Sequence, residues 1–146
     1  MTLDLALVRT RCVEIDQAVA RLDGFRPFTR ERFVADDTSV DQACRRLLQA
    51  IDAAVAICDH ICAARFHVAV GGYTDGFSTL AVGGVIAPDL ARRLTALAKY
   101  RNPLVHMIWK LNHDRVYDAI QQDLPDLRAF AVAIGELTTG APNEPA

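Results

Sequence analysis

Apolar residues at Leu5, Val8, Cys12, Ile15, Val19 and Leu22 alternate three and four positions apart, a spacing that lays one stripe along an α-helix. That helix is predicted to stop near Asp23-Gly24, and Pro27 keeps it from resuming at once. A short helical turn is expected over Arg30 to Ala35. Thr38 and Asp41 resemble a capping pair, and behind them Val40, Cys44, Leu47, Ile51, Ala54, Cys58 and Ile61 repeat the spacing as far as about Phe66. Both long stripes carry polar residues on their other faces, as bundle helices do.

HVAVGGYTDGFSTL interrupts the pattern with Gly71, Gly72 and Gly76, which predicts a loop, then a short helix around Phe77 to Val82. Turn geometry is the expected reason for these glycines, since the GxxxxGK[ST] phosphate-loop pattern is missing. Another helix begins after Pro88, with Leu90, Leu94, Leu97 and Ala98 facing inward. A final one runs from about Asp114 to Leu137, bent at Pro125. No strand-like alternation exceeds a few residues, and no internal repeat is found. The expected architecture is an all-α up-and-down bundle of four main helices plus short ones over residues 1–137, with a disordered tail over 138–146.

Length and composition agree with one folded domain: 146 residues, 51% hydrophobic and 23% charged, is too apolar for disorder. The net charge of −2 excludes a global basic field of the kind that announces a general nucleic-acid binder. Arginine supplies 14 of the 16 basic residues, which suits bidentate phosphate contacts, but genome composition produces the same bias and the signal carries little weight. No positive leader precedes an apolar core, and no uninterrupted apolar run approaches the roughly 18 residues of a membrane span. A cytoplasmic protein without membrane attachment is expected, its Cys12, Cys44, Cys58 and Cys62 reduced and mostly packed as small hydrophobes.

Candidate chemistry concentrates in RNPLVHMIW, residues 101 to 109. Arg101 and His106 are five apart, about 500° around an unbroken helix, which leaves them roughly 140° from one another. Pro103 disfavours helical backbone at Asn102, and Asn-Pro suits an N-cap followed by a first helical residue, so a break or kink is expected there. A helix start offers free N–H groups to an anion; Arg101 would add a permanently charged fork, and His106 a group able to move a proton near neutral pH. The same residues could equally pair with carboxylates of a neighbouring helix, and spacing alone leaves both readings open.

Other candidates are weaker. Cys58, His60 and Cys62 form CDHIC inside the second long helix, where the cysteines share a face but His60 points elsewhere, so packing is favoured over a zinc site. His67 and His113 fall at expected helix ends, where capping or exposure is the ordinary role. Asp52 and Asp59 lie on the polar side of that helix, where they could line a cleft, with solvated surface as the default.

RNPLVH looks like the RxxxxH motif of the HEPN superfamily, and its setting resembles the HepT-like branch of bacterial HEPN toxins. The resemblance rests on an ordered series: the long TSVDQACRRLLQAIDAAVAICDHI helix, the GGYTDGF loop, LARRLTALAKYRNPLVH, then HDRVYDAI and LPDLRAFA. It implies a metal-independent endoribonuclease, with no cofactor and no metal site, acting as the toxin of a HepT/MntA-type toxin–antitoxin pair. In that picture a homodimer lines a shared cleft, Arg101 neutralises the scissile phosphate, and His106 serves as general base or acid while the ribose 2′-OH attacks. Asn102 positions the loop or touches the phosphate, and the dimer supplies a second acid or base. The resemblance also implies a nucleotidyltransferase-type, MntA-like antitoxin as partner. Such toxins commonly continue as RxxxxHxY, the tyrosine receiving AMP, whereas this chain has Ile108 there, with no hydroxyl to modify. Tight binding, modification of another residue, or no partner at all remain open. The alternative to a nuclease is a non-catalytic HEPN module that binds a nucleotide or a minimal nucleotidyltransferase.

Overall fold

The computed structural model describes residues 2–101, 104 and 113–139. Among them are seven helices and no strand: α1 (Leu5–Asp23), α2 (Arg30–Val34), α3 (Asp37–Phe66), α4 (Asp75–Val82), α5 (Pro88–Ala98), α6 (His113–Gln122) and α7 (Leu124–Thr139). The all-α bundle expected from periodicity is the fold observed.

Helix α3 is the axis of the bundle and packs against each of the other described helices. It buries far more than one stripe: Val40, Leu47, Ile51, Val55, Ile57, Ile61 and the small residues Ala43, Ala50, Ala53 and Ala54 are all within the core. Alanines on several faces let neighbouring helices approach from different sides. Although α3 is long and apolar enough by composition to cross a membrane, most of its surface is covered by these neighbours.

Helix α1 runs antiparallel to α3. The Asp4 carboxylate accepts the Leu7 N–H at 3.0 Å to cap α1, while the Asp4 N–H donates to His60 Nε2 near the far end of α3 at 2.8 Å. His60 therefore ties the start of one helix to the end of the other. Cys58 and Cys62 are buried in the core as expected. His67 closes α3 in the left-handed conformation at φ 56°, the end role anticipated for it.

Three sequence expectations are corrected. The cap of α3 is Asp36, not Thr38: its carboxylate accepts the N–H groups of Thr38 and Ser39 and the Ser39 hydroxyl, at 2.8 to 3.4 Å. These bonds hold the Asp36 carboxyl below its ordinary pKa. The last long helix is two helices, divided at Asp123. A continuous helix would leave Gln121 O without its bond to residue 125 and push the proline ring against it, whereas a new start at Leu124 puts Pro125 in the first turn, where no N–H is needed. Helix α7 then continues to Thr139, two residues beyond the expected end, with Thr138 buried and its hydroxyl donating to Gly135 O. The rest of the expected tail, 140–146, lies outside the described residues.

The third correction concerns Gly76. Gly71 and Gly72 lie in the expected turn, which the Asp75 N–H closes on Gly72 O at 3.2 Å, whereas Gly76 lies inside α4 without positive φ, and close approach is its reason. A Cβ on Gly76 would stand 2.6 Å from Cys58 Cβ, and one on Gly72 would meet the Asp75 carboxylate at 2.7 Å. The first absence lets α4 lie directly on α3, from where Phe77 reaches Phe130 of α7 edge-on at 5.8 Å.

The opposite end is closed by polar ties. Arg30 of α2 bridges Asp114 and Asp118 of α6 at 3.0 and 2.7 Å, and the Tyr117 hydroxyl donates to Phe28 O at 2.7 Å. Arg93 of α5 reaches Asp126 at the start of α7.

Candidate functional site

Helix α5 ends at Ala98, short of the Asn102-Pro103 step where the sequence placed a break. Lys99 and Tyr100 close it with N–H bonds to Thr95 O and Leu97 O, Arg101 is already helical again, and the Leu104 N–H donates to Tyr100 O at 3.1 Å. Leu104 is buried, which anchors the segment on the core. Asn102, Pro103, His106, Ile108 and Trp109 lie outside the described residues. The described part of the site is Arg101 and what surrounds it.

The Arg101 side chain leans onto α3. Its Nε donates to Asp52 Oδ1 at 3.0 Å, and its guanidinium carbon sits 5.1 Å from the centre of the Tyr73 ring. The Tyr73 hydroxyl donates to the same Asp52 oxygen. One carboxylate oxygen thus orders two donors, one from the loop before α4 and one from the turn after α5. The pairing alternative left open by spacing is realised for Arg101, and Asp52 leaves the class of solvated surface to which its position on the polar side of α3 assigned it. Asp59 is not part of this group.

Burial is partial. The Arg101 side chain is 35% exposed and that of Asp52 46%, so solvent screens the pair and each reaches the surface. The bond to Asp52, with its charge, raises the Arg101 pKa and keeps it cationic throughout the working range. Tyr73 is shifted upward, first by burial and then by the hydrogen bond and charge of Asp52, against the opposing effect of Arg101. Its phenol is therefore protonated at neutral pH.

Beside this trio opens a pocket of about 260 Å³ lined by Tyr73, Thr74, Ala98, Lys99 and Arg101. Among the described residues, two cations and two hydroxyl-bearing side chains line it and no carboxylate does, a composition that suits a phosphate group. The Arg101 Nε–H is engaged by Asp52, so any anion in the pocket would be met by the terminal nitrogens of its fork. Among the described residues no group of three or more His, Cys, Asp or Glu side chains is placed to hold a metal ion. His113, at the start of α6, faces Val34 O at 3.4 Å and is not among Arg101's partners.

Asp52 was named from sequence as a possible cleft residue with solvated surface as its default, and the structure brings it to Arg101. Sequence reasoning missed Tyr73 as a member of the site, because it stands in an aperiodic loop where nothing in the spacing announces its neighbours.

Comparison with known proteins gives three findings. The family described as Ribonuclease HepT-like matches residues 15–134. A search of curated proteins finds no match. Solved structures share the fold: the tri-AMPylated Shewanella oneidensis HEPN toxin in complex with MNT antitoxin aligns with TM-score 0.80 at 24% identity, over 88% of this chain and 96% of that one. A toxin–antitoxin complex with AMP-PNP aligns with TM-score 0.78 at 24% identity, over 88% and 97% of the two chains. A MntA-HpeT toxin–antitoxin mutant gives TM-score 0.80 at 24% identity, over 89% and 98%.

Proposed function

This chain belongs to the Ribonuclease HepT-like family of HEPN proteins, and on that premise we propose that it is a metal-independent endoribonuclease acting as the toxin of a toxin–antitoxin pair. The observation that carries the reading is the placement of Arg101: half-exposed, fixed by Asp52 and Tyr73, and facing a phosphate-sized pocket that it shares with Lys99.

In this reading Arg101 holds the scissile phosphate and offsets the charge that builds on it as the ribose 2′-OH attacks. His106, five residues on, moves the proton, and Asn102 supports the phosphate or the turn. Positioning and charge stabilisation suffice for such a transfer, so no metal or cofactor is invoked. A second protein copy completes the site by supplying the group that a lone histidine lacks, since one imidazole cannot deprotonate the nucleophile and protonate the leaving oxygen in the same instant. The partner is a nucleotidyltransferase-type antitoxin, as the complexes with MNT antitoxin and with AMP-PNP suggest for the shared fold.

The test is incubation of the purified chain with total RNA in EDTA, alongside Arg101→Ala and His106→Ala. Cleavage by the parent alone, leaving 2′,3′-cyclic phosphate ends, is the expected result. Intact RNA with a folded parent, or equal cleavage by all three proteins, would overturn the assignment.

A further inference from the structure

A second cleft, of about 600 Å³, lies between the end of α1 and the first half of α3, and three arginines converge on it. Arg21 comes from the last turn of α1, Arg45 and Arg46 from α3. Asp41 is the single carboxylate among the described lining residues, so the cleft has a surplus of two positive charges in a chain whose net charge is −2. Arginines elsewhere are neutralised: Arg30, Arg93, Arg101 and Arg115 each meet an aspartate. In the cleft, Arg46 donates to the neutral Gln49 at 3.1 Å, and the side chains of Arg21 and Arg45 have no hydrogen-bond or ion-pair partner among the described residues. Like charges gathered without counter-charge repel one another, and an anion seated among them removes that cost.

Phe25 adds an aromatic wall. It is half-buried, and Phe28 at 5.5 Å and Phe33 at 5.7 Å hold its ring edge-on. A bare phosphate makes no use of that ring. A single-stranded nucleic acid uses both features, its phosphates taking the arginine forks and a base lying against the ring. Placement joins the cleft to Arg101. Arg45 precedes Asp52 by seven residues, which on a helix leaves them about 20° apart around the axis and about 10 Å apart along it. Gln49 lies between them on the same outward side, and Arg101 reaches that side through its bond to Asp52 at 3.0 Å. At about 3.4 Å per stacked nucleotide, the gap is about three steps.

We propose that this cleft is a second seat for the RNA strand, taking nucleotides about three steps from the phosphate held at Arg101. The inference rests on the ribonuclease reading above and adds a length requirement to it. Short RNA meets Arg101 alone, whereas a longer strand also engages Arg21, Arg45 and Arg46 and lays a base on Phe25. Two seats on one strand act together, because the second contact is intramolecular once the first is made, so affinity rises with length. Stacking on Phe25 needs an unpaired base, which favours single strands over duplexes.

The experiment measures binding of fluorescent oligoribonucleotides to the full chain by anisotropy, with every 2′-OH methylated so that no strand can be cut. One probe has three nucleotides and the other twelve. Arg21→Ala combined with Arg45→Ala should weaken the twelve-nucleotide probe at least fivefold, make its slope of log affinity against log salt shallower by about 1.4 to 2, and leave the three-nucleotide probe unchanged. Both side chains are exposed, so the substitutions remove no core contact. An unchanged long probe overturns the proposal. Equal loss on both probes also overturns it, since the arginines would then act through Arg101. Free AMP that binds the parent as tightly as the long probe does, and loses that affinity in the variant, would make the cleft a mononucleotide site and overturn the strand assignment. Cleavage of total RNA in EDTA judges the ribonuclease reading separately: a parent that cuts RNA, with a double variant that binds the long probe normally, keeps the nuclease and loses the second seat.

Discussion

Replacing Asp52 separates two things that the carboxylate does for Arg101. It orients the fork by taking the Nε–H at 3.0 Å, and it opposes an incoming phosphate by its own charge. Asp52→Asn keeps an acceptor of the same shape and removes the charge. With side chains 35% and 46% exposed, the pair is worth about 0.2–1 kcal/mol. At 1.4 kcal/mol per decade that is roughly a 1.4- to 5-fold change in an equilibrium. Relieved of the nearby negative charge, the Asp52→Asn protein should bind RNA tighter by that factor, and KM should fall accordingly.

The turnover number should move the other way. A guanidinium no longer tethered by an ion pair samples more orientations, and misplacement of a charge-stabilising group is felt in the transition state. Asp52→Ala, which deletes the acceptor for both Arg101 and Tyr73, should lower kcat more than Asp52→Asn does. Stability provides the control: loss of at most about 1 kcal/mol shifts Tm by about 4 °C in a domain of this size, too little to unfold the protein under assay conditions. The measurement is steady-state cleavage of a fluorescent oligoribonucleotide at fixed ionic strength. A lower KM with a lower kcat supports the reasoning. An Asp52→Ala protein with both constants unchanged would refute it, because Asp52 would then neither orient nor screen Arg101.

Lys99→Ala should weaken RNA binding uniformly across sequences and lower the slope of log affinity against log salt by about 1, the signature of one lost phosphate contact, measurable by fluorescence anisotropy between two salt concentrations. Gly76→Ala should destabilise by about 1–2 kcal/mol, because overpacking against Cys58 at 2.6 Å outweighs the gain in helix propensity, whereas Gly135→Ala in open space on α7 should stabilise by up to about 1 kcal/mol; thermal melts of the two should shift in opposite directions. Asp36→Ala should lower Tm at neutral pH but have a shrinking effect in acid. The cap bonds depress the folded pKa of Asp36 below its unfolded value of about 3.9, so their contribution is complete above that pH and is lost as pH falls through the folded pKa. Melting curves of both proteins from pH 7 down to pH 3 check whether the gap closes.

What the sequence made legible follows from what its physics encodes locally. The stripe Val8, Ile15, Val19, Leu22 had to be one face of a helix because only a 3.6-residue period gathers those positions, and the structure buries all four. Pro125 was equally visible, but a proline states that a helix cannot pass unchanged and does not say whether it bends or restarts. The choice was made by Asp123, whose carbonyl takes the Asp126 N–H at 3.1 Å and whose carboxylate receives Arg115 at 3.2 Å, and neither partner has a local signature. The α3 cap was misplaced by two residues for a related reason: Asp36, Asp37, Thr38 and Ser39 are all competent caps, and only the backbone turn at Asp36 selects one.

The site illustrates the limit more sharply. Arg101 could be named from RNPLVH, but its partners lie 49 and 28 positions upstream, Asp52 on α3 and Tyr73 in a loop. What brings them together is the close seating of α4 on α3 that Gly76 permits, together with the α4–α5 hairpin that returns the chain to the same end of α3. A glycine whose role is contact, with no positive φ to reveal it, looks in sequence like any other loop residue. The consequence is testable in the site itself: if the seating of α4 sets the Tyr73–Asp52–Arg101 geometry, Gly76→Ala should reduce RNA cleavage even below its melting temperature, where Gly135→Ala leaves it unchanged. Equal cleavage by the two folded variants would detach the site from α4 and leave the Arg101 pair to be explained by α3 and α5 alone.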